Sequence, residues 1–267
     1  MSHLLREHAP ITEEVWRLID EEARERLTPA LAARKLVDFS GPHGWQHSAS
    51  NLGRVRALSG APADGVTAAQ RQVLAVVELR APFALSRGEL RDADRGAEDF
   101  DLDALDDAAR RIAMAENRAV FHGFEEAGIT GIAQAATHDP IPLGESCELY
   151  PRHVARAVEA LLRAGVAGPY GLALGSEAYT RVLETSEHGG YPLLDHLRKI
   201  VGGPLVWSPG VEGAVVVSQR GGDFVLEAGE DLSVGYDGHD ADAVQLYLVE
   251  SFTFRVLTDE AAVALTP

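Results

Sequence analysis

The chain carries ten histidines, one cysteine and 41 acidic residues against 24 Lys and Arg, yet few of these fall at spacings that build a reaction site. Cys147 stands alone in a Pro/Gly-rich stretch without a local signature for a thiol nucleophile. No GxSxG elbow and no HExxH pair occur. His188 and His196 lie eight apart across a Gly-Gly-Tyr-Pro break, so they do not share a helical face. A zinc site needs three or four convergent ligands, and no metal is expected. Asp99, Asp101 and Asp103 open like a calcium loop, but Ala104 stands where the turn glycine belongs and Arg110 where the bidentate glutamate belongs. The three aspartates read instead as the acidic lead-in to a helix. Gly168, Gly171 and Gly175 match neither GxGxxG nor GxxxxGK[ST], so no nucleotide cofactor is expected. Glu116 and Arg118 have the chemistry of a catalytic acid and an anion clamp, but on an amphipathic helix they read as solvated or intersubunit ion pairs. With no catalytic residue and no cofactor site expected, a non-enzymatic role leads.

The elements that would position these residues are legible from periodicity. Thr12 caps a helix with acids in its first turn and an apolar stripe at Val15, Trp16, Ile19, Ala23 and Leu27. Thr28-Pro29 ends or restarts it, and Leu36 to Phe39 is a short strand. From His43 to Thr67 no helical period survives; with the strand-like 70–78 this predicts an extended hairpin arm, a segment without its own core. Residues 77–85 alternate, 89–95 form a brief helix, and 104–127 a long one ending at Gly128. Beyond Pro140 and Gly144 lie an amphipathic helix (150–164, with Val154, Val158, Leu161 and Leu162), a strand (172–174), a helix capped by Ser176, a polar loop (185–192), a helix (193–201) and a strand (205–207): a small α/β unit. Val215 to Val217 and Phe224 to Leu226 flank a glycine turn of the kind that joins paired strands. Residues 243–257 alternate as one long half-buried antiparallel strand, Val244, Leu246, Leu248, Phe252, Phe254 and Val256 facing one side.

Composition sets the outer bounds. At 267 residues and 46% hydrophobic content the chain makes one large or two modest domains. No apolar run reaches the roughly 18 residues of a membrane span, no membrane partner is expected, and the first residues lack a secretory h-region, so the cytoplasm is the default. A net charge of −17 repels a phosphate backbone, which argues against a nucleic-acid partner and would draw cations toward openings between assembled copies.

Several dispersed stretches together carry a resemblance: 33–45 (ARKLVDFSGPHGW), 78–83 (ELRAPF), 115–123 (AENRAVFHG), 127–132 (AGITGI), 168–170 (GPY), 218–240 (SQRGGDFVLEAGEDLSVGYDGHD) and 249–257 (VESFTFRVL). In this order they resemble the encapsulins, bacterial compartment-forming shell proteins with the fold of a tailed-phage (HK97-type) capsid. The resemblance implies an α+β fold: an elongated P-domain with the N-terminal helix (1–46, 77–135 and 226–267), a spine helix, an extended E-loop (47–76) and a peripheral α/β A-domain (136–225). It implies self-assembly into an icosahedral homo-oligomer, a T=1 shell of about 60 copies. The shell would capture a cargo enzyme, a ferritin-like iron-storage protein or a dye-decolourising peroxidase, through the cargo's C-terminal targeting peptide. Carried onto this chain, the peptide-binding positions are Ile19, Ala23, Leu27, Arg34, Asp38, Asp231, Leu232 and Val234. The loop around the five-fold opening would be Glu187, His188, Gly189, Gly190 and Tyr191. Two rivals share the resemblance: a prophage capsid, which the acidity and a resemblance starting within the first dozen residues disfavour, and a bacteriocin or protease.

Overall fold

Thr12 opens the first helix as the sequence predicts, its Oγ1 accepting the Val15 N–H at 3.4 Å. The computed structural model describes residues 3–187 and 189–267. Helix α1 (Glu13–Ala30) runs through Pro29 rather than stopping at Thr28. Proline is tolerated there because it falls in the last turn, where Leu31 N–H still reaches Leu27 O at 3.0 Å and only one ladder bond is forfeited. After a 3-10 turn at Ala33–Lys35 come β1 (Asp38–Ser40), β2 (Ala49–Ala57), β3 (Ala69–Ala75), β4 (Val77–Ser86), α2 (Arg87–Asp94) and α3 (Asp103–His122). The next segments are α4 (Ile132–Ala135), β5 (Ile141–Pro142), α5 (Tyr150–Arg163), β6 (Tyr170–Leu174), α6 (Ser176–Glu184), α7 (Leu193–Val201) and β7 (Gly202–Trp207). The chain closes with β8 (Ala214–Ser218), β9 (Phe224–Ala228), β10 (Ser233–His239), β11 (Ala243–Val256) and β12 (Ala262–Thr266).

Strand β11 is the axis of the first sheet. It pairs antiparallel with β4 along Ala243 to Phe252, with β10 along Val244 to Val249, and with β9 from Phe252 onward, while β1 joins β9 in parallel. The second sheet runs β5-β12-β8-β6-β7, and β2 and β3 form a separate two-stranded arm. Two apolar cores result, one under α1, α2 and the first half of α3, the other around α5, α7 and the second sheet. Helix α3 belongs to both. Leu105, Ile112 and Ala113 enter the first core, and Ala119, Val120 and Phe121 enter the second.

Several sequence expectations need correction. The long helix ends at His122, five residues before Ala127, because Gly123 takes φ +91°, where a side chain would be strained, and the chain then turns back against Gly131. Strand β11 is buried on both faces from Leu246 to Phe254, not on one. Tyr247, on the face expected to be open, is covered by the Arg80 guanidinium at 3.6 Å from its ring centroid. The glycine turn after Ser218 does not join paired strands; it carries the chain from the second sheet into the first. The last strand, expected with the elongated domain, instead pairs with β8 and β5 in the second sheet. Ser176 is the first residue of α6 rather than its cap, and its Oγ accepts from Trp207 Nε1 at 3.0 Å. Leu162 lies outside the core, 58% exposed. Glu116 is not solvated but wholly buried, whereas Arg118 is exposed and meets Glu212.

Candidate functional site

Between α1 and the start of β10 lies an open groove of about 520 Å³. Its apolar lining comes from Ala23, Leu27 and Leu31 on one wall and Leu232, Val234 and Leu248 on the other, because the helical stripe of α1 and the inward face of β10 and β11 turn toward each other. Charged side chains mark its edges: Arg6 pairs with Asp20 at 2.7 Å, and Arg24 flanks them. Six of the eight expected docking residues line it: Ala23, Leu27, Arg34, Asp231, Leu232 and Val234. Ile19 does not, being fully buried in the core behind the groove. Asp38 sits elsewhere, on β1, where it accepts the Gly222 N–H at 2.5 Å beside a small separate cavity. Arg6, Asp20 and Arg24 were not anticipated, although Asp20 and Arg24 are one helical turn apart next to the apolar stripe, which is a readable signal.

Arg34 is spoken for. Its Nε donates to Glu116 Oε2 at 2.6 Å, Nη1 to Asp231 Oδ1 at 2.6 Å and Nη2 to Glu250 Oε2 at 3.0 Å. The same Asp231 oxygen accepts the Leu232 N–H at 2.8 Å, so one guanidinium ties α3, β11 and the groove wall together. Burial pushes Glu116 above the ordinary glutamate range and Glu250 well above it, against the pull of Arg34. Burial also opposes the charge on Arg34, but Glu116, Glu250 and Asp231 outweigh it and its pKa rises.

The second candidate is the loop before α7. Glu187 N–H donates to Tyr191 O and Gly190 N–H to Glu187 O, both at 2.9 Å, a tight reversal that needs the positive φ of Gly189 and Gly190. Glu187 Oε1 lies 2.7 Å from His196 Nδ1 on α7, and Tyr191 stands edge-on to the same imidazole. His188 lies outside the described residues. Sequence reasoning missed the His196 contact because it set His196 beside His188 rather than Glu187. At the base of the β2–β3 arm, His47 Nε2 and Ser50 Oγ each approach the Glu227 carboxylate at 2.8 Å. No group of three or more His, Cys, Asp or Glu among the described residues is placed to hold a metal ion.

This arrangement can bind and clasp an extended segment. A family model described as "encapsulating protein for peroxidase" matches residues 1–253. A type 1 encapsulin shell protein of Rhodospirillum rubrum is 50% identical over 99% of this chain and 96% of its own length. The chain belongs to the encapsulin shell-protein family. Another encapsulin shell protein, from Mycobacterium tuberculosis, is 41% identical over the full length of both chains. Solved structures agree in fold: a virus-like particle from Pyrococcus furiosus superposes with a TM-score of 0.63 at 18% identity over 94% of this chain and 99% of the other. The Mycobacterium phage Bobi structure does so at 0.58 and 13% identity over 89% of this chain and 90% of its own. The encapsulin fold here is therefore the HK97-type α+β capsid fold. No helix among the described residues is long and apolar enough to cross a membrane.

Proposed function

We infer that this chain is the building block of a closed icosahedral shell, a T=1 particle of about 60 copies in the cytoplasm, and that its groove receives the C-terminal tail of an enclosed enzyme. The observation that carries shell assembly is the β2–β3 arm. Val55, Leu58, Val66 and Val73 are 44–58% exposed on a hairpin that has no core of its own, and such a ribbon is stable only against another surface. In a family of shell proteins that surface is a neighbouring copy. The net charge of −17 supports an enzyme rather than a nucleic acid as the content. A peroxidase, named in the family description, or a ferritin-like protein fits as cargo, and the shell itself contributes enclosure rather than catalysis. The groove favours an extended peptide with apolar side chains at alternate positions, held by burial at about 25 cal/mol per Å² and registered by the charged edges. The loop around Glu187 and Tyr191 would ring the five-fold opening.

The purified chain should elute as a particle of about 1.7 MDa, given 28.6 kDa per copy and about 60 copies. Elution as a monomer or dimer contradicts assembly. Leu232→Asp, on the groove wall, should leave particles intact while a co-expressed peroxidase or ferritin-like protein with a C-terminal targeting tail no longer co-purifies. Retained cargo would remove the groove from the mechanism. Ile19→Asp is the wrong probe, because it places a carboxylate in the core and unfolds α1 instead.

A further inference from the structure

Behind the groove two carboxyl groups meet out of reach of water. Glu116 on α3 is 0% exposed and Glu250 on β11 is 1% exposed. Each gives its Oε2 to Arg34, and each leaves Oε1 buried with no hydrogen-bond partner. Nε and Nη2 of the one guanidinium hold the two carboxyl groups as neighbours, at 2.6 and 3.0 Å. Buried orphan acceptors are uncommon, and a pair of them side by side is the arrangement that one proton repairs: an O–H on one carboxyl donates to the carboxylate oxygen of the other.

The charge count points the same way. Fully ionised, Glu116, Glu250 and Asp231 set three negative charges against the single positive charge of Arg34. A proton between the two glutamates reduces the uncompensated charge from two to one, at a place where water cannot screen it. The rest of the surroundings supply no relief. Ile112, Ala113 and Val120 are the buried apolar neighbours of Glu116 on α3, and β4 sets Leu79 opposite Glu250. The charged groups facing the pair are Arg34, from the turn after α1, and Asp231, from the loop ahead of β10.

We propose that Glu116 and Glu250 share one proton at neutral pH, and that this proton holds Arg34 in the position from which it grips Asp231 and so fixes the wall of the groove. The consequence for docking rests on the function proposed above; the shared proton does not. Burial raises the affinity of both acids for a proton in the folded chain, so the stability that the pair contributes is present in acid and is lost as pH rises through the folded-state value. Once the proton leaves for solvent, the two carboxylates repel each other, compete for Arg34 and release Asp231. The Asp231–Leu232 segment then loosens, and the wall that should hold the cargo tail loses its shape. Retention of cargo would accordingly be tighter in mildly acidic than in alkaline buffer.

Infrared spectra of the assembled particle in D2O provide the test. The wild type should show, at neutral pD, a protonated-carboxyl C=O band equivalent to one group per chain, which fades reversibly as pD is raised. The band should be missing from Glu250→Gln and from Glu116→Gln, either of which suffices if the other fails to assemble. Hydrogen exchange supplies the second readout. After correction for intrinsic rates, the Leu232 amide should exchange several-fold faster at pH 9 than at pH 6 in the wild type, and at the same rate at both in Glu250→Gln. A wild-type particle without the band, or a band that survives both substitutions, overturns the shared proton. A band with no pH response at Leu232 overturns the link to the groove. Neither measurement uses an occupant, so a groove that binds no tail would leave both unchanged and would show itself only in the co-purification experiment.

Discussion

Asn117 is wholly buried and uses its side-chain amide in three directions. Its Nδ2 donates to Ala30 O at 2.8 Å and Pro209 O at 3.1 Å, and its Oδ1 accepts the Ala33 N–H at 3.0 Å. The end of α1, the turn carrying Arg34 and the loop after β7 are thereby pinned to α3. Removing three buried hydrogen bonds of about 1 kcal/mol each should cost about 3 kcal/mol. Asn117→Ala is therefore expected to lower the melting temperature of the purified protein by about 6–12 °C, and a change under about 2 °C would show that the pins are not needed. Its neighbour Glu116 shows what sequence can and cannot say about single residues. Glu116 falls on the same helical stripe as Ile112, Ala113 and Val120, a sign of burial that the reading of it as a solvated or intersubunit ion pair passed over. Its partners could not be read, because Arg34 and Glu250 stand 82 and 134 positions away and only the tertiary fold brings them together. Ile19 was set in the groove beside Ala23 by the family resemblance, and the shared apolar stripe could not correct it: periodicity gives the face of a helix but not the depth at which each residue of that face lies.

Element boundaries depend on backbone crowding as much as on period. At the end of α3, a Cβ on Gly131 would lie 2.2 Å from Gly123 N and 2.5 Å from His122 C, all backbone atoms that cannot swing aside. Gly131→Ala should cost about 3 kcal/mol by overpacking. Gly128→Ala, at φ +70° with nothing within 4 Å, should cost only the left-handed strain of about 1 kcal/mol. Equal losses in denaturant titrations of the two variants would contradict the close approach. The apolar pattern of 104–127 carries no trace of this contact, which is why the helix reads five residues too long. Strand β11 was legible in position and direction, but its second buried face was not, since Tyr247 and Ser251 look polar until Arg80 and the loop ahead of β10 are seen to cover them. The arm was legible as an arm; its anchor was not. Burial opposes the charge on Glu227, yet the bonds from Ser50 and His47 outweigh it and hold its carboxyl below the ordinary glutamate value of 4.5. A depressed folded-state value means that the stabilisation is present above about pH 4.5 and lost as pH falls through that lower value. Amide exchange at the root of the arm, around Ser50, should therefore accelerate in the wild type below that range after correction for intrinsic rates. In Glu227→Gln it should already be fast at pH 7. Exchange that is slow in the variant at pH 7 would mean that the arm is held by its strands alone.

For the whole molecule, the ordered matches along the sequence implied the HK97-type α+β fold before any single element was certain. Helix α3 joins the two cores, contributing Leu105, Ile112 and Ala113 to one and Ala119, Val120 and Phe121 to the other. Assembly must work against charge. At −17 per chain, copies repel each other across every seam, whereas the apolar side chains of the arm attract without regard to sign. Salt separates the two forces, because the screening length falls from about 30 Å at 0.01 M to about 3 Å at 1 M while hydrophobic burial is not weakened. Subunits dissociated in mild denaturant should therefore reassemble faster in 1 M than in 0.01 M NaCl, as followed by light scattering. Val73→Asp, which puts a further negative charge on the exposed face of the arm, should slow reassembly at both salt concentrations, because screening removes its repulsion but not its loss of apolar contact. If Val73→Asp regains the wild-type rate in 1 M salt, the arm acts only through charge, and another surface must supply the burial that closes the shell.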